Sequence, residues 1–180
     1  MKKQKNTIRL KFYLILLSML FIGACSKDDS SSPDLPDTEG GSIHVTGDLA
    51  VQGDKVITDA EFEYDGQYGI SFYIFGDDDQ GGGFSMVLGG YFENPESVVE
   101  TGSYTIAASG SYPDKPYFRG TYTDNIEIVD GTYTSDLFDM EGQLNIIYSS
   151  AELIKAEFEF IAKEGEKVVN GKGSFTAVEW

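Results

Sequence analysis

The sequence predicts an all-β domain, a single antiparallel β-sandwich or flattened β-barrel of about 8–10 strands. Three observations carry this expectation. Apolar and polar residues alternate with period two over most of the chain after Gly41. Glycine-bearing turns interrupt the alternation every 8–14 residues. No segment from residue 42 onward spaces its apolar residues as a helix does. The expected organisation is a removed signal peptide over 1–24, a disordered, flexible acidic linker over 25–41, and the β domain over 42–180.

Met1 to Lys11 is basic and Phe12 to Ile22 is apolar. That apolar run is about half the roughly 20 residues a helix needs to span a bilayer, so it reads as a signal peptide. It ends in Ile22-Gly23-Ala24-Cys25, which resembles the lipobox of a bacterial lipoprotein. The resemblance implies cleavage before Cys25, with a thioether-linked diacylglycerol and an N-acyl chain on that residue. Each buried methylene contributes about 0.8 kcal/mol, so several chains hold the protein to a membrane for good. Ser26 after the cysteine is similar to lipoproteins sorted to an outer membrane. Lys27-Asp28-Asp29 resembles the acidic export signal of surface lipoproteins in Bacteroidota. Localisation is thus expected at the outer membrane, facing the cell surface. Ser26 to Gly41 is dominated by Ser, Asp, Pro and Gly and buries too little apolar area to fold.

In the β domain, Val56, Thr58, Ala60, Phe62 and Tyr64 are expected on one face, with Asp59, Glu61 and Glu63 on the other. Asp65-Gly66 reads as a hairpin turn into a strand carrying Ile70, Phe72 and Ile74. Gly76 to Gly83 is a loop, and Phe84 to Phe92 the next strand. Strands are then expected over Val98–Ala108, Tyr117–Thr123, Ile126–Val129 and Thr132–Met140. Leu144, Ile146 and Tyr148 alternate next. Ile154, Ala156, Phe158, Phe160 and Ala162 alternate against Lys155, Glu157, Glu159 and Lys163, and Glu164-Gly165 turns into a last strand. Glycine, then Ser or Thr, an aromatic and Thr recurs at 102–105, 120–123, 131–134 and 173–176. The irregular spacing excludes a solenoid, and the pattern reads as a turn opening a strand.

Gly-Gln-Leu-Asn-Ile at 142–146, Ala156 to Ala162 and Asn170 to Phe175 resemble the ending of many uncharacterised β-rich lipoproteins of Bacteroidota. In those, a G-x-F-x-F-x-A strand precedes an N-G-x-F strand. Here Ala156 replaces the first glycine and Lys172-Gly173-Ser174 lengthens the second element. The resemblance covers the anchor and roughly residues 98–180. It implies a β-rich lipoprotein domain and carries over no active site.

Charge narrows the function classes. Five of 13 basic residues lie in 1–24, leaving 8 against 30 acids, a mature net charge of −22. Such a surface repels nucleic-acid phosphates and anionic lipid headgroups, so no nucleic-acid partner is expected and attachment to the membrane runs through the lipid alone. With one cysteine and one histidine, thiolate, haem and zinc chemistry have no ligand set. His44 is expected on the outer face of an edge strand, without a catalytic role. Asp77-Asp78-Asp79 is the one metal candidate. Loop carboxylates suit calcium, although an EF-hand fails because Gly81 and Leu88 fall at its fifth and twelfth positions. Tyr68, Tyr73, Tyr91, Tyr112, Tyr117 and Tyr133 are candidates for stacking on sugar rings, and Arg119 for pairing with outward acids. The leading expectation is a non-enzymatic binding or accessory domain with a glycan or protein partner and no cofactor beyond the lipid. A lipocalin-like carrier of a small apolar ligand and a carboxylate-dependent glycan hydrolase are the alternatives.

Overall fold

The computed structural model describes residues 38–49, 51–65, 69–77, 82–93, 98–129 and 132–180, with side chains described except at 65, 125–129 and 132–134. Among these residues there are nine strands: β1 (Gly40–Gly47), β2 (Gly53–Asp65), β3 (Gly69–Asp77), β4 (Gly83–Tyr91), β5 (Gly102–Ile106), β6 (Tyr117–Val129), β7 (Thr132–Ser149), β8 (Leu153–Glu164) and β9 (Lys167–Glu179). The expected all-β class is found. Hydrogen bonds close one sheet into a barrel in the order β1-β2-β3-β4-β6-β5-β7-β8-β9. Closure leaves no unpaired edge to recruit another chain.

The sheet is mixed rather than purely antiparallel, and two short strands explain why. β1 runs antiparallel to both β2 and β9, which makes β2 and β9 parallel. Beyond β1 those two close directly at Glu61↔Val178 and Phe62↔Glu179. β5 does the same between β6 and β7, pairing parallel with β6 at Thr105↔Tyr117 and antiparallel with β7 at Gly102↔Ile146. Each wedge fills a gap that opens where its long neighbours diverge. His44 therefore lies on a strand paired on both sides, and not on an edge.

Three other expectations change. Val98–Ala108 shortens to the five residues of β5, and the two expected strands Tyr117–Thr123 and Ile126–Val129 are one bulged strand, β6. Thr132–Met140 and the Leu144 segment likewise form one long β7. A bulge between Ile57 and Asp59 in β2 reverses the faces on its N-terminal side. Val56 and Thr58 point outward as a result, while Lys55 and Ile57 are buried. A similar shift after Ile146 turns Tyr148 out.

The core is aromatic and spans the barrel. Phe72 on β3 meets Phe175 on β9 with ring centroids 5.3 Å apart and Phe118 on β6 at 5.9 Å. Tyr122 on β6 meets Phe160 on β8 at 5.5 Å. These strands are not neighbours in the sheet, so the rings fill the middle of the barrel, where a lipocalin would hold its ligand. The recurring Gly-Ser/Thr-aromatic-Thr pattern has a structural account: Tyr104, Tyr122 and Phe175, its third residues, all enter this core. So does the β8–β9 ending. Phe158 faces Gly173 and Phe160 faces Gly171 across the ladder. A Cβ on Gly171 would sit 2.3 Å from the Phe160 ring, so the glycine is what lets the ring lie flat on the opposite strand.

Candidate functional site

Ile22, Gly23, Ala24, Cys25, Lys27, Asp28 and Asp29 lie outside the described residues, as do Tyr68, Asp78 and Asp79. Asp77 is exposed at the end of β3. Among the described residues no three His, Cys, Asp or Glu side chains gather as a metal site. The backbone of Tyr133 is described but its side chain is not. Tyr73 stands apart from the other tyrosines, donating to Glu63 at 2.6 Å.

The strand register builds a candidate site on the outside of the barrel. Following the paired residues from strand to strand gives the row Thr105–Gln143–Glu159–Lys172–His44–Asp54 across β5, β7, β8, β9, β1 and β2. Neighbouring strands lie about 4.8 Å apart, so the row spans roughly 24 Å. A second row, Glu141–Ile161–Asn170–Thr46, runs beside it. The first row is polar throughout, while the second carries the exposed apolar Ile161 between Glu141 and Asn170. His44 pairs with Asp54 at 2.7 Å, and Lys163 holds Glu141 at 2.7 Å. Glu141 and Glu159, on the neighbouring strands β7 and β8, both line the same outer face.

A wall stands over these rows. The chain between β5 and β6 rises from the sheet, and together they enclose a groove of about 760 Å³ lined by His44, Glu159, Asn170 and Lys172 from the floor and by Ala107 and Pro113 from the wall. The wall is tied at several points. The Ala107 amide donates to the Phe118 carbonyl at 2.7 Å, and Lys115 Nζ reaches the Phe92 carbonyl at 3.3 Å. Arg119 donates to the Ser111 carbonyl.

Arg119 does not pair with outward acids as expected. Its guanidinium lies 4.3 Å from the Tyr112 ring, 5.7 Å from Tyr91 and 5.8 Å from Tyr117. Tyr91 and Tyr117 stack on each other at 5.1 Å. Three of the six candidate tyrosines thus converge on one cation, and the interaction fixes the wall to the sheet. A sequence signal for this existed: Tyr117 and Arg119 are two apart in a strand, so they share a face.

The interior holds one group of polar residues that the sequence reading missed. Lys55 Nζ and Asp124 Oδ1 are 2.5 Å apart with side chains 1% and 3% exposed, and the Tyr122 hydroxyl is 3.1 Å from the same oxygen. Lys55 also lies 5.7 Å from the Phe84 ring centre. Sealed inside, this pair has no access to a ligand and belongs to the architecture.

Compared with protein-family models, with curated proteins and with solved structures, the chain matches none.

Proposed function

We propose that this chain is a lipid-anchored outer-membrane β domain, displayed at the cell surface, that binds glycan without transforming it. The observation that carries the reading is the pair of rows under the 107–116 wall. Glu159, Asn170, Lys172, His44 and Thr46 offer closely spaced donors and acceptors on a rigid sheet, which suits a chain rich in hydroxyl groups. The groove is long enough for several sugar rings, and the sheet needs no ordering before it binds. Aromatic filling of the barrel favours this outer site over a carrier's lumen. The anchor rests on Ile22-Gly23-Ala24-Cys25, and the outward orientation on Lys27-Asp28-Asp29.

A glycan array probed with the acylated protein in detergent tests the binding. Selective capture is expected, and Lys172→Gln or Asn170→Ala should weaken it by roughly tenfold each, the value of one or two hydrogen bonds. An array on which no glycan is captured refutes the reading. Protease shaving tests the location: loss of the domain from intact cells places it outside, and protection until lysis places it in the periplasm.

A further inference from the structure

On the other side of the same wall lies a smaller recess of about 270 Å³, bounded by Tyr91, Ser109, Arg119, Thr121 and Asp139. Its floor is open because of one residue. Gly89 pairs with Arg119 across β4 and β6, and a Cβ placed on it would meet nothing within 4 Å. Most outward positions here carry a side chain, so the glycine leaves a hole directly beside the guanidinium.

The cation in this recess is unusual for the chain that carries it. Arg119 is the only arginine after Arg9, in a segment holding 30 carboxylates, and among the described residues none of them forms an ion pair with it. Of its five N–H donors, one is engaged, on the Ser111 carbonyl, and Nε is buried without a partner. Three tyrosine rings surround the guanidinium, and its remaining N–H donors are left for a planar acceptor. Holding the loop would account for the stacking. It does not account for guanidinium donors left without acceptors beside an open floor.

We propose that this recess binds a sugar bearing a carboxylate, a uronic acid residue, as a subsite of the glycan-binding outer face; the inference rests on that reading. The carboxylate pairs with the Arg119 guanidinium. Thr121, Ser109 and Asp139 then face the sugar's hydroxyls, with Asp139 accepting and the two hydroxyl side chains able to do either. Selectivity follows from the Arg119 guanidinium, which pairs with an acidic sugar's carboxylate and has no such partner on a neutral one.

The test is calorimetric titration of the acylated protein with oligomers of galacturonate, glucuronate and mannuronate, each set against its neutral parent sugar. At least one acidic oligomer should bind roughly tenfold more tightly than its parent, the increment of a charge-assisted hydrogen bond. Gly89→Val fills the floor, suits an extended strand and leaves Arg119 and the wall untouched; it should abolish the preference without lowering Tm. Arg119→Met should abolish it too, and Lys167→Gln, which lines neither the groove nor the recess, should leave the acid-to-neutral ratio unchanged. Acetate at the same concentration should not compete, which separates a uronate from any free carboxylate. Equal binding of acidic and neutral oligomers overturns the inference while leaving glycan recognition standing. So does a preference that survives Gly89→Val. Absence of binding by every uronate overturns it as well, and the array decides separately whether the broader reading falls.

Discussion

The buried Lys55–Asp124 pair makes the most exacting prediction, because removing one partner and removing both should have opposite consequences. The charges lie 2.5 Å apart and are almost wholly shielded from water. At an effective dielectric of 20, Coulomb attraction at that separation is about 6 kcal/mol. Desolvation costs several kcal/mol for each ion, so the net contribution of the pair is close to zero. Asp124→Ala deletes the attraction but keeps the ammonium inside, beside Phe84, and should lose about 3–5 kcal/mol. For a domain of this size 1 kcal/mol moves Tm by about 3–4 °C, so a fall of about 9–20 °C is expected.

Lys55→Met in the same background removes the stranded ammonium and substitutes an apolar chain of similar length. The double variant Lys55→Met/Asp124→Leu should therefore recover to within about 1–2 kcal/mol of the parent. Urea unfolding of the parent, Lys55→Met, Asp124→Leu and the double variant closes a double-mutant cycle, with the coupling energy read at a constant m-value. A coupling below about 1 kcal/mol would refute the reasoning, since two solvated surface charges give that much. A double variant as unstable as Asp124→Ala would refute it also, by showing that the pair itself contributes the stability.

Four further outcomes follow from particular contacts. Gly171→Ala puts a Cβ 2.3 Å from the Phe160 ring and should cost about 1–3 kcal/mol in urea unfolding; Phe160→Leu in the same chain should return part of the loss. Glu39 donates no charge relief to its surroundings: the Asp59 side chain hydrogen-bonded to it, followed by burial, raises its pKa above the ordinary 4.5. The folded state thus holds that proton more tightly than the unfolded chain, so ionising Glu39 costs stability as pH rises through its folded pKa. Glu39→Gln should raise Tm at neutral pH, with the gain vanishing below the ordinary carboxylate range; an equal gain at all pH values would exclude the carboxylate pair as its cause. Cys25→Ser should move the protein from the membrane fraction to the soluble one, and an unchanged distribution rules out the lipid anchor. If Asp77–Asp79 holds calcium, millimolar calcium raises Tm and Asp77→Asn removes the rise; a Tm indifferent to calcium ends that assignment.

Strict alternation made β8 legible. Ile154, Ala156, Phe158, Phe160 and Ala162 are all buried, as period two required. Where the chain carries a bulge, the same template fails by one residue. The shift at Ile57/Asp59 hides Lys55 and exposes Val56, and no local residue type announces it. Barrel closure was equally out of reach, because it depends on β1 and β5 entering gaps between strands distant in sequence. At the site, the tyrosines were recognised by type, but their partner was assigned by charge alone. Arg119 is surrounded by carboxylates in composition and by aromatic rings in space, because the 107–116 wall carries Tyr112 back over the sheet.

On the reading proposed above, core and charge together favour the outer face for recognition. Phenylalanines and Tyr122 fill the lumen, and β1 and β5 complete the hydrogen-bond ring, so neither a cavity binder's interior nor an open edge is offered. What is left is the outward face and the one long connection that rises from it. That face is dense in acids, which hold other sheets and polyanions away. A ligand on the floor rows meets Lys172 and His44 as isolated donors among Glu159, Glu141 and Asp54. Beside Gly89 it meets the Arg119 guanidinium, with Asp139 in the same recess. A glycan that lies over the wall with a neutral stretch in the groove and a carboxylate in the recess would use both, and the two sets of variants would then weaken its binding additively. Subadditive losses would mean that the groove and the recess do not engage one chain as independent contacts.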